Sequence, residues 1–213
     1  MDTRDGPEGP SLLISVLCGA RDHGRMAERL VLVAPSPKDV PELLELVRVS
    51  RHLHRPWVYA PRTPEAWARY LQRCRRGQVI AHVCRRRDTG EIAGVVNISE
   101  VARGAFQSGY LGFYAHAGHA RQGFMRDGLE AVLARAFSAL RLHRLEANIQ
   151  PGNIASKALI KSLGFRREGL SRKYLKVGGR WRDHERWALT RDMWKEHSHK
   201  GGGRSPSRIE VRR

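Results

Sequence analysis

Two clusters in this sequence combine residue types and spacings that can do chemistry. The first is Ala120-Arg121-Gln122-Gly123-Phe124-Met125-Arg126, a basic turn holding one glycine. Behind it Leu129, Val132, Leu133, Ala136, Phe137 and Leu140 recur at helical spacing, so the turn opens an amphipathic helix. Unsatisfied N–H groups and the positive end of the helix dipole coincide at such a start, which makes it an anion site. The expected occupant is the pyrophosphate of a nucleotide-bearing cofactor. The second cluster is Asn153 and Ser156, behind the turn Pro151-Gly152. Asn153 is the expected N-cap of a helix that closes at Leu163-Gly164, with glycine at the C′ position. Three residues apart at a helix start, the amide and the hydroxyl share one face.

The remaining elements must position these clusters. Glu28–Val33 reads as a first strand. Ser36-Pro37 opens a helix with Val40, Leu43, Leu44 and Val47 on one face. Arg51–Trp57 reads as a basic, aromatic loop suited to a substrate wall or to plain packing. Thr63-Pro64-Glu65 caps a second helix bearing Trp67, Tyr70, Leu71 and Cys74. Gln78–Cys84 and Ile92–Ser99 pair across Asp88-Thr89-Gly90, a hairpin turn, and Tyr110–Tyr114 follows as a fourth strand. Arg144–Ile149 alternates apolar and polar as a fifth. Leu170–Val177 and Arg180–Leu189 flank Gly178-Gly179, a pair suited to a type I′ turn. An antiparallel meander joined to strand–helix–strand–helix predicts a mixed α/β (α+β) fold.

Composition narrows the class. The 213 residues carry 39 Lys and Arg against 21 Asp and Glu, a formal net charge of +18. Such a field favours polyanionic neighbours, RNA or a ribosome surface among them, or else covers a solvated basic exterior. No zinc-finger spacing or RNP-like aromatic run accompanies the charge. Cys18, Cys74 and Cys84 show neither disulfide nor metal spacing, so free thiols in a reducing cytoplasmic setting and no metal are expected. No apolar run approaches a membrane span, and Leu12–Val16 lacks the basic flank of a signal peptide. Residues 1–25 read as a disordered leader, with Met26 a plausible alternative start; 26–194 form one domain, and 195–213 a disordered basic tail.

These strings together carry a resemblance. The Arg121–Met125 turn, and Asn153-Ile154-Ala155-Ser156 followed by Leu163-Gly164-Phe165, resemble the GCN5-related N-acetyltransferase (GNAT) superfamily. Gly109-Tyr110-Leu111-Gly112-Phe113, His143–Ala147 and Trp181-Arg182-Asp183-His184 resemble, more narrowly, its RimJ/RimL group of protein N-terminal acetyltransferases. The likeness covers about residues 28–194. It implies a mostly antiparallel sheet of about seven strands with four helices, splayed between strands four and five. It also implies acetyl-CoA as cofactor and, as acceptor, the N-terminal α-amine of a protein such as a ribosomal protein, in a monomer or homodimer.

By that resemblance the pyrophosphate sits on Arg121, Gln122, Gly123, Phe124, Met125 and Arg126, and the pantetheine arm lies against Phe113, Tyr114 and Ala115. A backbone N–H of the fourth strand would stabilise the oxyanion. Asn153 would hydrogen-bond the pantetheine, and Ser156 would lie near the sulfur and protonate the departing thiolate. Tyr174, Trp181, Asp183 and His184 would line the acceptor groove, with Arg172 and Lys173 beside them. One departure is Ala120, where relatives carry a polar residue at the head of the turn. Another is Tyr110, where many relatives place an acid. Glu100 is then the first choice as general base, with His116, His119, Glu146 or a water chain as further choices. Three readings stay open: a protein N-terminal acetyltransferase, a small-amine acetyltransferase, and a basic docking module for RNA or the ribosome.

Overall fold

The structure, a computed structural model, describes residues 29–200 and 211–212. The leader read into residues 1–25, and Met26, lie outside the described residues. Strand β1 (Leu30–Val33) is followed by a 3-10 turn at Pro37–Asp39 and helices α1 (Val40–Val49), α2 (Arg51–His54) and α3 (Pro64–Arg75). Strands β2 (Val79–Arg86), β3 (Ile92–Ala102) and β4 (Ser108–Ala115) form the meander. Helix α4 (Phe124–Phe137), β5 (Arg144–Ile149) and α5 (Ile154–Ser162) follow. The hairpin β6 (Arg166–Val177) and β7 (Arg180–Thr190) leads into α6 (Arg191–Lys200), and Val211–Arg212 forms a short β8.

One sheet holds all the strands, in the order β6-β7-β5-β4-β3-β2-β1-β8. The seven expected strands pair antiparallel except β4 with β5; the backbone of β8 adds a parallel edge beside β1. The parallel pair is short. It joins Ser108 to Arg144, Gly109 to Leu145 and Tyr110 to Glu146, and beyond Tyr110 the two strands part. This splay sits where the family resemblance implied it.

Each face of the sheet carries its own core. Leu129, Val132, Leu133 and Ala136 of α4 and Ile160 of α5 are buried against Val96, Ile98, Leu145 and Trp187. Leu43, Leu46 and Val47 of α1 and Trp67 of α3 pack on Val83, Val95 and Tyr114 across the sheet. Each fully buried leucine here contributes roughly 1.5–3 kcal/mol of transfer free energy. Caps fall where the sequence places them. Ser36 N–H and Oγ both donate to Asp39 Oδ2, at 2.6 and 2.7 Å, and Ala66 N–H donates to Thr63 Oγ1 at 3.3 Å. Gly178 (φ 60°) and Gly179 (φ 81°) adopt the left-handed turn expected of them.

Two elements depart from the sequence reading. The stretch read as a loop from Arg51 begins as a helical turn, α2, carried on by His54 N–H to Ser50 O and Arg55 N–H to Arg51 O. Pro56, which disfavours helix before it and has no N–H, ends it. Of the tail read from Lys195, the residues up to Lys200 belong to α6, and 201–210 lie outside the described residues. Met193 and Trp194 anchor that helix on the core, Trp194 lying 6.4 Å from the Phe137 ring. The surrounding Lys, Glu, His and Ser mask a two-residue apolar anchor in composition. With α2 and α6, six α-helices stand among the described residues where four were expected.

Candidate active site

The splay between β4 and β5 opens a cleft of about 550 Å³. Its ends differ in construction. At one end the chain leaves β4 through Ala115 and enters α4 through the basic turn. Arg121 (φ 61°) and Gly123 (φ 85°) both hold left-handed backbone there, and Gly123 is the N-cap of α4. That geometry leaves the first-turn N–H groups of α4 without intrahelical acceptors. Ala120, Arg121, Gly123, Met125 and Arg126 line the cleft.

Gln122 and Phe124 do not line it. The Gln122 side-chain amide turns back to donate to Gly118 O at 2.9 Å, and the Gln122 main-chain carbonyl accepts from Arg29 Nη2 at 2.9 Å. The Phe124 ring is buried, with the Arg29 guanidinium 4.1 Å and that of Arg86 5.2 Å from its centroid. Arg29 thus braces the turn from behind, a role the sequence reading missed because Arg29 lies 93 residues away along the chain. Gly94 completes the seat: a Cβ there would overlap Met125 Sδ and come within 2.7 Å of the Tyr114 carbonyl oxygen.

Along the cleft, Phe113, Tyr114 and Ala115 line the β4 wall together with Leu111 and Gly112. Buried His54 places Nε2 2.7 Å from Ala115 O, so that carbonyl is already engaged. Burial lowers the His54 pKa and raises that of the Tyr114 phenol. Opposite, Asn153 caps α5 as expected: its Oδ1 accepts from Ser156 N–H at 3.2 Å. That leaves the Asn153 NH₂ and the Ser156 hydroxyl on residues that both line the cleft.

The acceptor side is assembled from scattered side chains. On β5, Leu145, Ala147 and Ile149 face the core, so Glu146 and Asn148 face the other way. Asn148 lines the cleft, and its Oδ1 is buried without a hydrogen-bond partner. His184 on β7 lines it too, 3% exposed, with Nδ1 3.0 Å from Arg182 O. Burial lowers the His184 pKa, against the raising effects of the Arg182 carbonyl and Asp183. The Tyr174 ring lies 6.4 Å from His184. Its hydrogen bond to Tyr174, with burial and Glu146, pushes the Tyr110 phenol up to about 12. The Trp57 loop roofs this side: Trp57 O accepts from Gln150 Nε2 at 3.4 Å, and Tyr59 lies against Gly178 at the hairpin tip.

Other expected site residues fall elsewhere. Glu100 is not brought to the cleft. It sits at the β3 irregularity between Ser99 and Ala102 with φ 48°, its side chain 71% exposed and 3.9 Å from Arg73. The kink turns it toward α3. Trp181, 61% exposed, shares by alternation the sheet face of Trp187 and Leu189, opposite to His184. Asp183 Oδ1 accepts from Lys173 N–H at 2.8 Å and fixes the β6 bulge. Among the further candidates, Glu146 pairs with Arg144 at 2.9 Å. His116 Nδ1 accepts from Gly118 N–H. His119 does line the cleft, at its phosphate end, 3.6 Å from Glu91, its pKa lowered by burial, His116 and Arg86.

A parallel pair splayed beside a left-handed glycine turn, with an amide and a hydroxyl at the facing helix start, defines a site for a long phosphate-bearing thioester and an amine. It is the cleft of an acetyl-CoA-dependent acetyltransferase.

The chain belongs to that class by descent as well: the acetyltransferase (GNAT) domain family matches residues 29–166. An Escherichia coli (strain K12) relative named [Ribosomal protein uS5]-alanine N-acetyltransferase is 31% identical over 175 residues, 78% of this chain and 90% of the relative. A Bacillus subtilis (strain 168) protein named Probable N-acetyltransferase YjcK is 35% identical over 98 residues; there the chain spans 54% of the relative's length. The solved structure of Mycobacterium smegmatis RimJ in complex with CoA-disulfide superposes with a TM-score of 0.71 at 25% identity, covering 82% of this chain and 93% of that one. The chain is thus an N-acetyltransferase that uses acetyl-CoA. Among the described residues no helix is long and apolar enough to cross a membrane, and no group of His, Cys, Asp and Glu is placed to hold a metal.

Proposed function

We propose that this acetyltransferase acts on the N-terminal α-amine of a protein, with a ribosomal protein as the expected acceptor. The carrying observation is the make-up of the cleft. Asn148, Gln150 and His184 offer hydrogen bonds, and among the described residues lining it there is no Asp or Glu. Such a wall favours an amine that reaches it neutral. An α-amine has a pKa of about 7.7–8.0, against about 10.4 for a lysine-type amine. At pH 7 the second therefore costs about 3 kcal/mol more to present neutral. A polyamine brings a further cation that this wall does not pair. The E. coli relative named for the alanine of a ribosomal protein supports the same acceptor.

Acetyl-CoA supplies an acetyl group activated as a thioester. The chain's part is to bind and align. First-turn N–H groups at Gly123–Arg126 receive the pyrophosphate, and Arg121 and Arg126 add charge that salt screens. The free β4 edge at Leu111–Tyr114 pairs with the pantetheine amides as an added strand would, the Ala115 carbonyl being held by His54. The Asn153 NH₂ reaches the same arm, and the Ser156 hydroxyl stands where a departing thiolate needs a proton. Arg172, Lys173, Lys176, Arg180 and Arg182 crowd the β6–β7 hairpin, whose His184 lines the cleft, and this charge suits an acceptor carried beside RNA.

The test is release of free CoA thiol by the full chain with a peptide bearing a free N-terminal alanine, an N-blocked lysine peptide, or spermidine. Turnover with the first and none with the others is expected. Turnover with spermidine alone would overturn the reading.

A further inference from the structure

The acceptor face poses a problem that the cofactor side does not. When a neutral amine attacks a thioester its nitrogen becomes cationic, and the cleft must take away a proton. The nearby carboxylates are committed elsewhere. Glu146 pairs with Arg144, which also holds Glu168. Glu185 pairs with Lys157 at 3.3 Å and Arg167 at 3.4 Å, and it accepts from Trp187 Nε1. Glu100 faces solvent beside Arg73. His54 is tied to the Ala115 carbonyl, and His119 stands at the phosphate end beside Arg86.

We infer that His184 is the catalytic base of this chain, accepting the proton of the acceptor amine at Nε2, while Asn148 Oδ1 orients that amine. This rests on the α-amine reading above. Three observations meet there. Nδ1 lies 3.0 Å from Arg182 O, so an Nδ1–H donates to that carbonyl and leaves a lone pair on Nε2. The ring lines the cleft and is braced by Tyr174. Asn148, on the same sheet face by its pairing with Arg186, holds a buried carbonyl oxygen with no partner, and an incoming N–H would satisfy it. The groups that act on the ring are the Arg182 carbonyl and Asp183 on β7 and Tyr174 on β6; Asn148 and Gln150 line the same cleft with their amides. Burial keeps the imidazole neutral near pH 7.

The step balances. The amine lone pair forms the C–N bond to the acetyl carbonyl carbon, the C–S bond breaks, and its electron pair leaves on sulfur. The amine proton passes to Nε2, and the imidazolium returns it to water when the product leaves. Asn148 acts as a positioning residue, holding the amine so that its lone pair faces the carbonyl carbon.

Two measurements on the full chain test this. The first needs no turnover: nitrogen NMR of the His184 ring is expected to show the Nδ1–H tautomer, titrating below about 6.5, the ordinary histidine value. The second compares pH profiles of kcat/KM. Below the His184 pKa the wild type loses one proton-dependent factor from the amine and another from His184, so its logarithm falls with a slope of two. In His184→Ala and His184→Asn the slope is expected to be one, with kcat down about 100-fold or more; added imidazole restores part of it in His184→Ala. Asn keeps a donor for Arg182 O and separates loss of the base from loss of the fold.

An Nε2–H tautomer, an unchanged slope, or kcat within about threefold of wild type would overturn the assignment. If the wild type acetylates spermidine and not the alanine peptide, the α-amine reading falls. The slope and the imidazole rescue, measured on spermidine, would still decide His184.

Discussion

The two ends of the cleft are built from different materials. The phosphate end is backbone: first-turn N–H groups presented by left-handed Arg121 and Gly123, braced from behind by Arg29 and seated by the missing Cβ of Gly94. The acceptor end is side chains drawn from separate strands, with Asn148, Tyr174 and His184 brought together by topology. Backbone tolerates a change of residue identity, so Ala120 at the head of the turn leaves its N–H groups in place. Side-chain sites do not tolerate it. One end specifies the class of cofactor; the other decides the acceptor.

Substitutions can break that contrast. The largest loss of cofactor binding is expected from Gly94→Ala, whose Cβ must displace either Met125 or the β4 backbone. Overpacking of this kind costs about 1–3 kcal/mol, so calorimetry should show acetyl-CoA affinity down roughly tenfold or more, with the far-ultraviolet spectrum retained. Asn148→Ala should do the reverse. It should raise KM for the acceptor peptide roughly tenfold, the worth of a buried hydrogen bond, and leave acetyl-CoA affinity unchanged. Gly123→Ala places a side chain at φ 85° and should cost about 1 kcal/mol, read as a fivefold weaker acetyl-CoA complex. Arg121→Ala should weaken binding about twofold at low salt and less at high salt, because an exposed charge is screened. The smallest effect belongs to Trp181→Ala, expected to leave both constants within error because the ring faces away from His184. A large rise in acceptor KM there would show that the groove extends around the hairpin edge.

The same contrast explains what could be read in advance. Phosphate-end elements are local in sequence: a glycine turn, a helical period, a cap three residues from a serine. Periodicity, capping and turn chemistry identify those and the Gly178-Gly179 turn without a structure; the splay came only with the family resemblance. The acceptor end is not local. Glu100 reads as following the third strand, but it lies inside β3, where a left-handed kink turns it toward Arg73, and no pattern in the residues announces the kink. Asn148 left a faint trace, because the alternation Glu146, Asn148, Gln150 opposite Leu145, Ala147, Ile149 marks a polar face. Whether such a face meets solvent or a cleft depends on β4 parting from β5, which only the fold decides. His184 was legible as a groove residue; its role as base needed the Arg182 carbonyl beside Nδ1.

The central claim, acetyl transfer to a protein α-amine, is tested most directly by mass spectrometry of intact ribosomal proteins and free polyamines from cells with and without this chain. The account predicts that at least one ribosomal protein loses an N-terminal acetyl group when the chain is absent, with polyamine acetylation unchanged. Unchanged ribosomal-protein N-termini together with a fall in acetylated polyamine would contradict it.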